Sequence, residues 1–277
     1  MRLQTIGAVL AASCFVIPGN VSAQQLKPET TRDFECYVQA AEQRMAARQA
    51  FLLADSEPAL NDQLVRGHRV ETVPGYGANP HKVSGGLIFD WVGSVFIPST
   101  NLDQTLRMLQ DYDHRAQYFS ETIASSKLLC RRGDGNFRYT MRLKEPVVID
   151  VASDVDWQRV DPHRWRCTSY STEVQPVGKD KGYLRRLYSY WRFVETPNGV
   201  YVEGETITLS DEFSSLMRGL GSLMGINPEK SLRHSLESMR ETLGKPGMQF
   251  PGPATGAAEC GEPYRAERPL GCAEAAH

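Results

Sequence analysis

The feature that most constrains this chain is a long series of β-type segments followed by a single amphipathic helix. Runs rich in β-branched and aromatic residues occupy 123–131, 137–143, 147–160, 165–174, 187–195 and 200–209, with turn residues between them. In 137–143 the alternation is plain: Phe137, Tyr139, Met141 and Leu143 share one face, Arg138, Thr140 and Arg142 the other. The links are too short for crossover helices, so the strands must pair antiparallel. Pro197-Asn198-Gly199 reads as a tight hairpin with Asn198 and Gly199 as its two-residue loop. Leu232, Leu236, Met239 and Leu243 then follow at helical spacing, in a helix that opens at Pro228 and stops at Gly244 and Pro246. A sheet with one such helix must curl around it to bury the apolar stripe.

Upstream, 87–97 is a further strand, ended by Pro98. Asn101 is placed to cap a helix, with Gln104 in the capping-box position and Leu102, Leu106 and Leu109 as its stripe. A short helix or turn spans 114–119. The order is strand, two helices, about six antiparallel strands and one long C-terminal helix. A separate N-terminal helix is predicted over 33–54, with Val38, Ala41, Met45 and Leu52 on one side and Glu42, Arg44 and Arg48 between them. Residues 61–85 are polar and rich in Gly and Pro, which predicts an irregular linker within 24–85. Residues 245–277 repeat Pro, Gly and Ala and read as a disordered tail.

The first 23 residues read as a secretory signal peptide. Arg2 supplies the positive start, 6–17 the apolar core, and Val21-Ser22-Ala23 a cleavage site. The core is too short to span a bilayer as an anchor. A lipoprotein signal ending at Cys14 is the competing reading. Export places the protein in a periplasmic or secreted, oxidising setting, where disulfides persist. Cys36, Cys130, Cys167, Cys260 and Cys272 remain, an odd number, and Cys260 with Cys272 is the expected pair. With 31 basic and 33 acidic residues, the chain lacks the basic surface that a nucleic-acid partner requires.

Several strings resemble the START-like superfamily (polyketide cyclase, SRPBCC or helix-grip type). They are Phe96-Ile97-Pro98 leading into Leu102, Leu106, Leu109 and Tyr112; the strand Tyr190-Trp191-Arg192-Phe193; and Val200-Tyr201-Val202-Glu203 ahead of the Pro-started helix. The resemblance covers 86–244. It implies an α+β helix-grip fold: a curved antiparallel sheet of about seven strands around a long C-terminal helix, with an added N-terminal helix. It also implies an internal cavity for a hydrophobic small molecule or lipid, in a superfamily of many binders and fewer catalysts.

Counting outward from the Asn198-Gly199 loop sets Phe193 opposite Gly204, Trp191 opposite Thr206 and Arg192 opposite Glu205. Directly opposed residues share a face. One face then carries Trp191, Phe193, Val202, Gly204 and Thr206, a candidate cavity wall that Phe137, Tyr139, Met141, Phe89 and Trp91 extend, opposite Leu232 and Leu236. A filled core is the alternative. The other face carries Tyr190, Arg192, Glu203 and Glu205. There they form either a solvated cross-strand set or, if turned inward, a polar anchor for a ligand. Residues 214–226, with Leu216 and Leu220 among several glycines, are either a gate that can touch a membrane surface or a plain connector.

No nucleophile elbow, zinc-ligand spacing or P-loop occurs, so no cofactor or metal is expected. Asp111, Asp113 and His114 read as turn residues. His234 lies off the helix stripe and is expected to face water. Two functions of different class stand. One is an exported carrier or binder of an apolar ligand. The other is a cyclase- or hydrolase-type enzyme using Glu203 or Glu205 with Arg192 or Tyr190 in the same cavity. An interaction protein with a packed core is a third.

Overall fold

The computed structural model describes residues 26–67, 69–144, 147–178, 183–212, 227–262 and Cys272. The expected signal peptide and the expected gate at 214–226, with Leu216 and Leu220, lie outside them. In chain order the elements begin with α1 (Pro28–Ala47), α2 (Pro58–Gly67), β1 (Glu71–Pro74), β2 (His81–Val83) and β3 (Gly86–Pro98). Next come α3 (Leu102–Gln110), α4 (Arg115–Tyr118), β4 (Ile123–Arg132), β5 (Asn136–Leu143) and β6 (Ile149–Asp161). Then follow β7 (Arg164–Pro176), β8 (Leu184–Thr196), β9 (Gly199–Asp211), α5 (Pro228–Leu243) and β10 (Ala258–Glu259).

The long strands β3 to β9 join in one curved sheet in the order β3-β9-β8-β7-β6-β5-β4, all antiparallel. Three short strands extend it to ten. β1 and β2 pair with β3, and β10 pairs parallel with β4. These additions correct two expectations. The stretch 61–85 holds most of α2 and two strands rather than an irregular linker, and the described part of the tail is docked rather than free. Both edges of the long-strand sheet present unpaired backbone groups, and a short extended segment satisfies each edge whatever its own composition. Phe250 in the tail is buried and sets its ring edge-on to Tyr118.

Local rules set the helix ends. The Asn101 side chain accepts from Gln104 N at 2.9 Å and so caps α3. Asn227 accepts from Lys230 N at 3.0 Å and caps α5, where Pro228 occupies the first turn. α1 starts at Pro28, earlier than 33, and ends at Ala47 because Arg48 is extended (φ −64°, ψ 122°). Leu52 is buried, but outside the helix.

The β8–β9 hairpin differs from its predicted register by two residues. Thr196 pairs with Gly199, so Pro197 and Asn198 form the loop, and Phe193 lies opposite Val202, Trp191 opposite Gly204 and Arg192 opposite Glu203. Pro197 supplies the fixed φ of a first turn position. Gly199, at φ 151°, pairs with Pro98 so closely that a Cβ would stand 2.2 Å from Ile97 O. The glycine serves the packing of β9 on β3, not the loop. Side chains alternate with period two, so a slip of two leaves every face assignment intact.

Each face of the sheet carries a helix. On the concave side α5 lies across β3: a Cβ on Gly93 would stand 2.6 Å from Leu236 Cδ1. Leu232, Leu236, Met239 and Leu243 join the main core there with Val95, Ile97, Phe193 and Val202. On the convex side α1 packs Phe34, Tyr37, Val38, Ala41 and Met45 on Ile88, Tyr188, Tyr190, Ile207 and Leu209. Phe34, fully buried, contributes about 1.5–3 kcal/mol of transfer free energy by itself.

The disulfides are Cys36–Cys272 and Cys130–Cys260, not the expected Cys260–Cys272, and Cys167 is free and buried. The β10–β4 register carries Cys260 to Cys130, since Ala258 pairs with Cys130.

Candidate functional site

Between the concave face and α5 lies a cavity of about 570 Å³. It opens over β5 to β9, because α5 itself covers β3. Of the expected wall, Tyr139, Met141, Trp191, Phe193, Thr206 and Leu232 line it. Phe137 and Leu236 are instead consumed in the surrounding core, and Trp91 packs against that core. Phe89, opposite Thr208 on β3, is half-buried and does not reach the cavity. Trp157, Phe119, Ile123, Leu143, Leu184, Leu187 and Met239 complete the apolar walls. Trp191 can lie flat there because Gly204 opposite has no side chain: a Cβ would stand 2.4 Å from its ring.

The walls are not uniformly apolar. Ser169 on β7, Ser189 on β8 and Thr206 on β9 are successive cross-strand partners and form a transverse row of hydroxyls. Thr208 and Ser210 continue it along β9, and Ser153 lies beside Tyr139 on β6. Ser189 Oγ accepts from Trp191 Nε1 at 3.1 Å, whereas Thr208 Oγ1 is buried without a partner. Apart from Thr206, these hydroxyls escaped the sequence reading, which followed aromatic residues. Their signal was present as small polar residues on the face that carries Trp191 and Phe193.

Arg115, from α4, also lines the cavity. Its guanidinium lies 4.7 Å from the ring centroids of both Tyr112 and Tyr139, and Nη2 donates to Leu109 O at 2.7 Å. Tyr112 is held in turn by Trp157, whose Nε1 donates to its hydroxyl at 2.9 Å. Burial pushes the Cys167 thiol far up, so it stays protonated, and pushes the Tyr183 hydroxyl up to about 12. Lys230 and His234 of α5 border the cavity as well, and His234 Nδ1 stands 3.6 Å from Glu121. His234 therefore faces the cavity and a carboxylate, not simply water. Asp111 holds Tyr118 Oη at 2.5 Å and His114 Nδ1 at 2.8 Å, while Asp113 accepts from Leu128 N. That trio ties the α3–α4 turn to β4.

Tyr190, Arg192, Glu203 and Glu205 lie on the convex face, away from the cavity. They are neither a solvated set nor a cavity anchor, because α1 seals them in. Glu203 accepts from Arg48 Nη2 at 2.5 Å, Leu53 N at 2.6 Å and Arg192 Nη1 at 3.3 Å. Glu205 pairs with Arg44, beside Asp90, which accepts from Tyr76 N at 3.0 Å and Tyr37 Oη at 3.1 Å. Tyr190 Oη donates to Glu42. Burial, then the nearby Asp90 charge, pushes the Glu205 carboxyl up to about 7; burial also raises Asp90. Burial, then Arg48, lowers Arg192. Among the described residues no His, Cys, Asp and Glu cluster fit for a metal occurs.

No family model and no curated protein matches the chain. Solved structures do. The chain is similar to START-type domains. One is the STAR-related lipid transfer protein of Xanthomonas axonopodis, 15% identical over 61% of this chain and 98% of that one, with a TM-score of 0.45. Another is a START superfamily protein of Mycobacterium smegmatis, 8% identical over 57% and 97%, with a TM-score of 0.41. Human STARD10 is 9% identical over 66% and 77%, also at 0.41.

Proposed function

We propose that this protein is an exported carrier or binder of a hydrophobic small molecule or lipid, held between the concave face and α5. The observation that carries the reading is the 570 Å³ cavity, within the roughly 300–1,000 Å³ of small-molecule sites. It lies where a packed core would otherwise close. Tyr139, Met141, Trp191, Phe193 and Leu232 supply contact area, and the hydroxyl row supplies a few oriented polar groups, the usual composition of such a site. The signal sequence at 1–23 and the two disulfides support export. Residues 86–244 form the ligand-holding unit. A cyclase or hydrolase using Glu203, Glu205, Arg192 and Tyr190 loses its support, because those groups face α1.

The test is native mass spectrometry, with lipid extraction, of protein purified from the compartment to which it is exported. A bound species of lipid size is expected. A bare polypeptide mass, together with no binding of an apolar fluorescent probe, would refute the proposal.

A further inference from the structure

Resting on that reading, we infer that the ligand is an amphipath with a single anionic head, a carboxylate, which docks on Arg115. Arg115 is the carrying observation. It is a permanent cation in a largely apolar cavity, and among the described residues no carboxylate stands within ion-pairing distance of it. Arg115 is half-buried, and a charge drawn even partly out of water is costly unless it is paired. The protein meets only part of that need: two aromatic faces at 4.7 Å and one carbonyl, Leu109 O. The guanidinium Nε is buried with no hydrogen-bond partner.

The same contacts hold the guanidinium in one place before any ligand arrives. A planar fork fixed beside the stacked Tyr112–Tyr139 pair suits the two oxygens of a carboxylate. The titratable groups set against it, Tyr112, Tyr139 and Cys167, do not compete for the role: they are phenols and a thiol, and burial keeps the Tyr112 hydroxyl and the Cys167 thiol neutral. Ser153, cross-strand from Tyr139, offers a hydroxyl on the same wall. From that corner the apolar body of the ligand runs along Met141, Leu187 and Met239. Arg115 supplies one positive charge to that corner, while Lys230, the lysine of the lining, stands on α5.

The experiment compares cis-parinaric acid with its methyl ester at pH 8, by probe fluorescence, on the full mature chain. The wild type should bind the acid about tenfold tighter than the ester or more. Arg115→Met, which keeps the apolar stem, should bind both alike, with ester affinity within about twofold of wild type. Because the acid–ester comparison is made first on the wild type, it does not depend on the variant folding. Equal binding of acid and ester by the wild type overturns the inference while leaving the apolar-carrier reading in place. A preference that survives in Arg115→Met but vanishes in Lys230→Met puts the charge at α5 and also overturns it. Failure of both probes, with no lipid recovered from the native protein, removes the carrier reading itself.

Discussion

Glu205→Gln should change how stability depends on pH, and the sign follows from the seam under α1. Glu205 is 2% exposed and faces Arg44, Asp90 and, through Asp90, Tyr37; Arg48, Glu203 and Arg192 lie next along the seam. Its carboxyl is raised from 4.5 to about 7, so burial and Asp90 together outweigh the attraction of Arg44. A carboxyl raised in the folded state binds its proton more tightly there than in the unfolded chain. Its stabilising contribution is therefore full below about pH 4.5 and is lost as pH rises towards 7. The rise corresponds to about 3 kcal/mol, an upper figure because Asp90 is raised too and the two titrate as a pair. Glutamine keeps an acceptor for Arg44 without the charge, and Asp90, 3.9 Å away, still neutralises the guanidinium. The assay is urea unfolding followed by tryptophan fluorescence at pH 5 and pH 8, disulfides intact. Wild type should lose stability between the two conditions, and the variant should lose less by about 1–3 kcal/mol. Taking the difference between the proteins cancels the other titrating groups. Parallel profiles, or a variant less stable than wild type by the same amount at both pH values, would show that Glu205 does not carry its proton as argued.

Gly93→Ala should destabilise by about 1–3 kcal/mol, because the new methyl meets Leu236 Cδ1 at 2.6 Å; in a Leu236→Ala background the cost should shrink, read as a coupling term in a urea double-mutant cycle. Cys36→Ser should lower the urea midpoint by the equivalent of about 2–5 kcal/mol, since the lost bond joins residues 236 apart in sequence. Gly204→Ala, with its Cβ 2.4 Å from the Trp191 ring, should push that ring into the cavity; the expected readout is weaker probe binding together with a shifted tryptophan emission.

The sequence was most informative where a rule is local. Period-two alternation assigned Trp191, Phe193 and Thr206 to the cavity side even though the hairpin register was off by two, because a slip of two preserves faces. The caps at Asn101 and the Pro228 helix start depend on neighbours three or four residues away, and they stand where the spacing put them. Polar residues were harder to place. Arg44 and Arg48 read as the wet side of a helix, yet they meet Glu205 and Glu203 more than 150 positions along the chain. Ser169, Ser189 and Thr206 look unremarkable singly and become a row only when three strands align.

By itself, then, the sequence determined the alternating strands, the amphipathic stripe of α5 and the side of β8 and β9 that faces inward. Each follows from periodicity or turn chemistry, which act over a few residues. Only the tertiary structure decided that α1 seals the convex face over β3, β9 and β8, that the tail is pinned at Cys130, and that β3 is lost to the cavity because Gly93 admits α5 so closely. It also decided that Arg115 lies against a stacked pair of tyrosine rings beside the cavity with no carboxylate of its own among the described residues. Those outcomes depend on which distant surfaces meet, and a hydrophobic stripe or a lone charge states what must be covered or paired without saying by what.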